Sequence, residues 1–189
     1  MARVESGESF DALSLRGVAR AAGVVPTAFY RYFDGMDDLG LVLVERSFET
    51  LRAMLRQARE QAREPRRVIA RSVEILVSYV REHRQQFAFV ARIRSTGNGL
   101  LRHAIRSEIR LFAAELATDL ARFPVLRDWS TEDLQMLSDL LVNTMIATIE
   151  ELLEVPPGEA GAQVEAAIAR RAERQLRLIV LGVPAWRSR

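Results

Sequence analysis

The 189-residue sequence contains no cysteine, so it can form no disulfide and carries no thiol nucleophile. It also lacks any apolar run long enough to cross a bilayer, and no signal peptide follows Met1. Hydrophobic residues make up 49% and charged residues 28% of the chain, proportions typical of a soluble globular protein with a buried core. These absences predict a cytoplasmic protein with no membrane association.

Lysine is absent as well, because all 27 basic residues are arginine. Two explanations fit this bias: a GC-rich genome, or selection for the bidentate contacts that arginine makes with phosphate. The formal net charge is only +2. Residues 1–33 are nearly neutral, and the three aspartates at 34, 37 and 38 make the N-terminal region acidic. Net charge therefore argues only weakly for a nucleic-acid partner.

No constellation of catalytic residues is evident. The two histidines, His83 and His103, have no spaced set of further ligands for a metal. Glu150 and Glu151 are adjacent on a predicted helix, so they point apart and cannot form an acid–base pair. No glycine-rich phosphate loop follows a strand. The sequence therefore predicts neither an enzyme nor a metal site nor a bound cofactor.

Two short helices joined by a tight turn are predicted within residues 13–33, LSLRGVARAAGVVPTAFYRYF. Ser14 is a suitable N-cap for the first helix, and Gly23 is suited to end it in the left-handed conformation. Pro26 is suited to the first position of a second helix, which is expected to reach about Tyr32. This pattern is typical of a helix-turn-helix, although an ordinary helical hairpin with surface tyrosines fits the spacing too.

In a helix-turn-helix, the second helix enters the DNA major groove with its N-terminal residues leading. Small side chains at Thr27 and Ala28 allow close approach to base edges, and their methyl groups can contact thymine. Tyrosine hydroxyls can bond phosphates, whereas arginines can reach either a guanine edge or the backbone. The candidate DNA-binding residues are Ser14, Arg16, Pro26, Thr27, Ala28, Tyr30, Arg31 and Tyr32.

The rest of the chain reads as helices, with no strand and no internal repeat, so the predicted fold class is all-α. Helices are expected over about 38–60, 65–82, 87–93, 98–123, 130–153 and 163–181. Ser130 is a suitable cap for the fifth of these, with Asp133 three residues on in a capping-box-like arrangement.

The apolar stripes of these helices exceed what one small bundle must bury, which favours a cavity for an apolar ligand; ordinary core packing is the alternative. The candidate ligand-binding residues on these stripes are Phe87, Phe112, Leu116, Met145 and Ile149. Arginines crowd the end of the 38–60 helix and the residues after it. They fit either a solvated face or an anion site for coenzyme A phosphates. These arginines are at positions 52, 56, 59, 63, 66 and 67.

Several short motifs resemble the signature of TetR-family repressors: Ser14-Leu15, Val18-Ala19, Ala22-Gly23-Val24 and the run FYRYF at 29–33. The resemblance implies an all-helical homodimer that binds double-stranded operator DNA. It implies a helix-turn-helix domain over 1–46 and a ligand-binding and dimerisation domain over 47–189. The family places a full helix ahead of this motif, yet only nine residues precede Phe10, so we expect a trimmed start.

Within that family, the segments SLRGVARAAGVVPTAFYRYFDGMDDLGLVLVERSF and ARIRSTGNGLLRHAIRSEIRLFAAELATDL are most similar to the fatty-acid repressors FabR and DesT. This implies a repressor of unsaturated fatty-acid synthesis genes that responds to long-chain acyl thioesters. The effector would be acyl-CoA or acyl carrier protein, with Arg92 at the mouth of its pocket. The last two long helices, about 130–153 and 163–181, resemble the family's dimer interface, although packing within one chain is the alternative. The other readings are a regulator of another apolar ligand, such as a drug, and a helical lipid-binding protein without a DNA role.

Overall fold

The computed structural model describes residues 15–61, 64–96, 99–156 and 158–188, and every regular element among them is helical. The predictions that Ser14 caps a helix and that the chain start is trimmed concern residues outside these ranges. The helices are α1 Leu15–Ala21, α2 Pro26–Phe29, α3 Met36–Gln61, α4 Pro65–Glu82, α5 Arg84–Thr96, α6 Gly99–Leu120, α7 Thr131–Glu154 and α8 Glu159–Leu181. Two 3₁₀ turns, Pro124–Leu126 and Val183–Ala185, follow α6 and α8.

The chain divides into two compact units. Unit 1 comprises residues 1–49 and 85–108, and unit 2 comprises residues 50–84 and 109–189. The sequence predicts a linear division at 46/47, whereas the contacts group the segment 85–108 with the N-terminal residues. That segment supplies much of the core of unit 1, because Phe89, Ile93, Leu101 and Ile105 are almost completely buried.

The core of unit 2 lies among α4, α7 and α8, which pack against one another. Leu76 and Val80 of α4 and Leu176 of α8 are buried there. Helix α7 buries one face in this core, where Leu134, Leu137 and Met145 lie, whereas Met136 and Leu140 on another side are exposed. Helices α4 and α8 both pack against α7.

Helix α7 begins as the sequence predicts. The Ser130 hydroxyl accepts a hydrogen bond from the backbone N–H of Asp133 at 3.2 Å, which satisfies one of the free donors of the first turn. The C-terminal segment reinforces this cap, because the Ser130 backbone N–H donates to Ser188 Oγ at 2.7 Å. The Ser188 hydroxyl in turn donates to Oδ2 of Asp133 at 2.5 Å.

Several predicted helix boundaries need correction. Helix α5 extends over Arg84–Thr96 rather than about 87–93. The second helix ends at Phe29 rather than near Tyr32, because the N–H groups of Arg31 and Tyr32 donate to carbonyls three residues back in tighter turns. Helix α6 ends at Leu120 rather than near Phe123, which is extended (φ −76°, ψ 133°) as the residue before a proline prefers to be. Helix α8 begins at Glu159 rather than near Gln163, directly after Gly158 at φ 101°.

Candidate DNA-binding surface and ligand cavity

The turn between α1 and α2 is closed by Gly23. Its φ of +70° lies in the left-handed region that suits glycine, as the sequence predicts. The N–H of Gly23 donates to the carbonyl of Arg20 at 3.1 Å, and the N–H of Val24 donates to that of Ala19 at 2.9 Å. This pair of bonds is a Schellman motif, which satisfies the last carbonyls of α1 and turns the chain sharply toward Pro26.

Helix α2 is anchored by Phe29, whose side chain is only 6% exposed. The Phe29 ring lies 5.1 Å from that of Phe33 and 6.0 Å, edge on, from that of Tyr30. Phe33 is half-buried, so Phe29 is the more deeply buried member of this aromatic pair. Since α2 is too short to be stable alone, the burial of Phe29 and the packing of α2 against α1 hold it in place.

Most of the predicted DNA-binding side chains that the structure describes are exposed. Tyr30 is 61% and Tyr32 is 78% exposed, values that are high for large aromatic residues. Arg16, Thr27 and Arg31 are exposed and Ala28 is half-buried. Ser14 lies outside the described residues, and of Pro26 only the backbone is described. The described members thus lie on α1, on α2 and directly after α2, and all but Ala28 are exposed; their contact with DNA stays a prediction.

Unit 2 contains an apolar cavity of about 110 Å³. Its wall extends from Leu55, which is buried, to Val125, which is 54% exposed, so the cavity reaches the surface near the first 3₁₀ turn. The lining residues come from α3, α4, α6, α7, α8 and both 3₁₀ turns: Leu55, Arg59, Val68, Ile69, Ser72, Phe112, Leu116, Leu120, Phe123, Val125, Leu126, Leu137, Leu141, Met145, Leu176, Val180 and Val183.

Three of the six predicted ligand-binding residues, Phe112, Leu116 and Met145, line this cavity. Ile149 is half-buried one turn after Met145 on α7 and is not part of the wall. Phe87 and Arg92 belong to unit 1, where Phe87 is buried and Arg92 is half-buried. Within unit 2 the structure therefore brings together Phe112, Leu116 and Met145 from α6 and α7; ligand contact stays a prediction for all six.

Arg59 is the charged residue of the cavity wall. Its Nε and Nη2 both donate to Oδ2 of Asp119 on α6, at 3.0 and 2.7 Å, and the two side chains are only 8% and 12% exposed. Arg122 lies 3.7 Å from the other carboxylate oxygen of Asp119. Sequence reasoning placed Arg59 in the arginine cluster, but a helical pattern carries no information about which arginine turns inward to a partner sixty residues away.

The other arginines of that cluster differ in their surroundings. Arg56 pairs with Glu115 at 3.0 Å, and Arg67 pairs with Glu64 on the exposed surface. Arg66 is exposed, Arg52 is half-buried and Arg63 lies outside the described residues. Most described members thus fit a solvated face, one of the two alternatives that the sequence leaves open, and Arg59 is the exception.

Within the described ranges, no group of three or more histidine, aspartate or glutamate side chains is arranged to hold a metal ion. Among the same residues, no helix is both long enough and apolar enough to span a membrane.

Two family models match the chain. Residues 3–41 match the model described as "Bacterial regulatory proteins, tetR family", which includes the helix-turn-helix. Residues 65–182 match "Tetracyclin repressor-like, C-terminal domain". The chain belongs to the TetR family. It is therefore a DNA-binding transcriptional regulator, and TetR-family regulators bind operator DNA and dimerise. The members of this family are regulators rather than enzymes.

The fold agrees with this assignment. A solved structure described as a TetR family transcriptional regulator, PfmR from Thermus thermophilus, is similar to this TetR-family chain with a TM-score of 0.67. The two share 18% sequence identity, and the match covers 93% of this chain and 94% of that one. At this identity the similarity supports the fold, with its N-terminal helix-turn-helix and C-terminal helical domain, and says nothing about the ligand.

Proposed function

We propose that this TetR-family protein is a homodimeric repressor whose affinity for its operator is controlled by an apolar effector bound in the cavity of unit 2. The observation that carries the effector part is the nearly wholly apolar wall, to which α6 and α7 contribute Phe112, Leu116 and Met145. A concave apolar site with few polar groups is what small-molecule ligands generally occupy.

The surface around α2 supports the DNA part. The hydroxyls of Tyr30 and Tyr32 are available for phosphates that fix the register, and Thr27 and Ala28 are small enough for the helix to approach base edges. Arg16 and Arg31, both exposed, are the candidates for guanine edges or for the backbone. In a dimer, two such helices must lie about 34–36 Å apart to enter successive major grooves on one face.

The dimer interface is proposed on α7 and α8. Both helices carry large apolar side chains that the chain itself does not cover: Met136 and Leu140 on α7, and Val164, Leu178 and Leu181 on α8. Leu178 and Leu181 are 72% and 71% exposed, which is unusual for leucine. A twofold contact would bury the same residues on both subunits.

The effector would act by shifting a population. A ligand that binds one spacing of the paired DNA-binding units better than the other moves the dimer toward that spacing by its differential affinity. Its effect on operator affinity cannot exceed that difference.

For the effector itself we propose a fatty acyl group, following the resemblance to fatty-acid repressors, with an acyl thioester as the form in the cell and unsaturated fatty-acid synthesis genes as the targets. Coenzyme A or acyl carrier protein would then remain outside the cavity. The volume favours a second candidate, a compact apolar ligand: about 110 Å³ is smaller than an engineered cavity of about 150 Å³ that holds benzene. A long acyl chain would have to displace side chains of the wall.

Two experiments test these proposals separately. Gel shifts with the full-length protein and the DNA upstream of its own and neighbouring genes should show one preferred duplex over an unrelated duplex of equal length. Failure to prefer any promoter would overturn the operator proposal and leave a helical lipid-binding role.

Native mass spectrometry of protein purified from cells should show a co-purifying apolar ligand. An acyl thioester supports the fatty-acid proposal, and a compact aromatic or drug-like ligand overturns it in favour of the second candidate.

A further inference from the structure

The cavity wall combines an apolar surface with one nearly buried cation. Arg59 lines the cavity on α3, and its side chain is only 8% exposed. Burying a guanidinium is costly unless it is paired and hydrogen-bonded, and here Asp119 provides both. A purely apolar site could have been completed by any aliphatic residue, so the placement of this charge requires a reason.

The charge balance around Arg59 leaves room for one more anion. Asp119 is shared between Arg59 and Arg122, and the neighbouring Glu115 is paired with Arg56. The cluster therefore contains three guanidinium groups and two carboxylates, an excess of one positive charge.

The geometry of Arg59 permits a second carboxylate. Both hydrogen bonds to Asp119 involve a single carboxylate oxygen, Oδ2, and use Nε and Nη2 of the guanidinium. Neither uses Nη1. An arginine fork can bind two acceptors at once, and its charge-assisted hydrogen bonds are stronger than those between neutral groups.

We propose that the cavity selects apolar molecules that end in a carboxylate, with the apolar part among Phe112, Leu116 and Met145 and the carboxylate on the guanidinium of Arg59. In the protein without ligand, Asp119 holds the guanidinium of Arg59 in place. In the complex, that guanidinium bonds both Asp119 and the carboxylate of the ligand. The inference rests on the proposed effector cavity and defines the class of its ligand. This ligand class differs from the proposed acyl thioester in one respect: the group that a thioester offers to Arg59 is a neutral carbonyl, not a carboxylate.

The test compares hexanoate with 1-hexanol, which have equal chain length and differ in charge. Both are titrated into the full-length protein by calorimetry. Hexanoate should bind about tenfold more tightly, the factor that one charge-assisted hydrogen bond contributes. Equal binding, or tighter binding of hexanol, would overturn the carboxylate inference while leaving the apolar cavity intact. If neither bound, both the inference and the effector cavity would be wrong.

Variants locate the effect. Replacing both partners in the double variant Arg59→Met/Asp119→Leu removes the charges together, so no unpaired ion is left buried and the fold should be retained. This protein should lose the preference for hexanoate over hexanol. Asp119→Asn should tighten hexanoate binding by about tenfold, because the competing carboxylate is gone. Arg71→Gln, which changes an exposed ion pair with Glu74 on α4 outside this cluster, serves as the control and should leave the preference unchanged. A preference that survives the double variant would contradict the proposal.

Discussion

The guanidinium of Arg84 donates hydrogen bonds to the backbone carbonyls of Leu152 at 3.0 Å and Val155 at 2.8 Å, and it also contacts that of Leu153. One side chain thereby bonds carbonyls of the last turn of α7 and of its C-cap residue Val155; the carbonyl of Leu152 also accepts from the Val155 N–H. A cation at a helix C-terminus also interacts favourably with the helix dipole. The first residue of α5 thus caps the end of α7.

Arg84→Ala should lower the free energy of unfolding by about 2 kcal/mol, because hydrogen bonds from a charged donor to partly buried acceptors are lost. Urea denaturation followed by circular dichroism measures this. Arg81→Ala is the matched control one turn earlier, since Arg81 is exposed and its nearest recorded partner, Glu165, is 3.9 Å away. Arg81→Ala should change stability by less than about 0.5 kcal/mol. Equal losses in the two variants would contradict the capping role.

Gly161→Ala should be among the most destabilising single changes, at about 3 kcal/mol, because the added methyl has no space. Its Cβ would lie 2.1 Å from the backbone oxygen of Pro156 and 2.9 Å from a methyl carbon of Val155. The backbone of this turn must move before the first turn of α8 can accept it. Gly99→Ala at the start of α6 is the control, since no atom would lie within 4 Å of the new methyl. The melting temperature of Gly161→Ala should be many degrees below that of Gly99→Ala. Similar melting temperatures would show that the backbone of the turn moves at little cost and would contradict the prediction.

Gly23→Ala should destabilise the helix-turn-helix by about 1–2 kcal/mol, the cost of the left-handed conformation for a residue with a Cβ. The site has ample space, so the penalty comes from the backbone alone. We expect weaker operator binding in gel shifts with little change in hexanol binding, because the cavity belongs to unit 2. Gly35→Ala, whose site is equally open and whose φ is not positive, should leave operator affinity nearly unchanged.

Tyr30→Phe should weaken DNA binding by about tenfold, because each of the two recognition helices loses one hydroxyl that bonds a phosphate. The loss should be the same for the operator and for unrelated duplexes, since phosphates carry no sequence information. Arg16→Ala provides the contrast: it should reduce operator affinity more than non-specific affinity if Arg16 reads a base edge. If the Tyr30→Phe variant bound DNA as tightly as the wild type, the proposal that the Tyr30 hydroxyl bonds a phosphate would be wrong.

Leu178→Ser should weaken dimerisation by about 100-fold, because a twofold interface loses the same leucine from both subunits and each buried leucine contributes about 1.5–3 kcal/mol. Analytical ultracentrifugation over a range of concentrations measures the dissociation constant. Leu111→Ser is the control, an exposed leucine on α6 outside the proposed interface. A wild-type protein that is monomeric at every concentration would contradict the dimer itself.

Sequence patterns predicted the helices and the turn between α1 and α2, since both depend on local chemistry. Gly23 ends α1 in the predicted conformation, Pro65 begins α4, and Ser130 caps α7. The ends of α6 and α2 differ from the predicted ones. Pro124 ends the helical conformation before Phe123, and a tightened turn replaces the helix after Phe29.

The cavity was only partly predictable. An apolar stripe identifies residues that are buried, as it did for Phe112 and Met145, but it does not distinguish a residue beside a void from one in close packing. The pairing of Arg59 with Asp119 joins residues sixty positions apart, and the three-residue cap by Ser130, Asp133 and Ser188 joins both ends of the C-terminal region. Such contacts depend on tertiary structure, which periodicity does not encode.

The two tryptophans of the chain both lie in unit 2, next to the two 3₁₀ turns. The backbone N–H of Trp129 donates to the carbonyl of Leu126, and that of Trp186 donates to the carbonyl of Val183; both acceptor residues line the cavity. Trp129 is half-buried and Trp186 is 49% exposed, so a guest that spreads the wall will alter the solvation of the indoles. Intrinsic fluorescence excited at the indole band is therefore a label-free optical readout of occupancy, and the tyrosines around α2 contribute little to it.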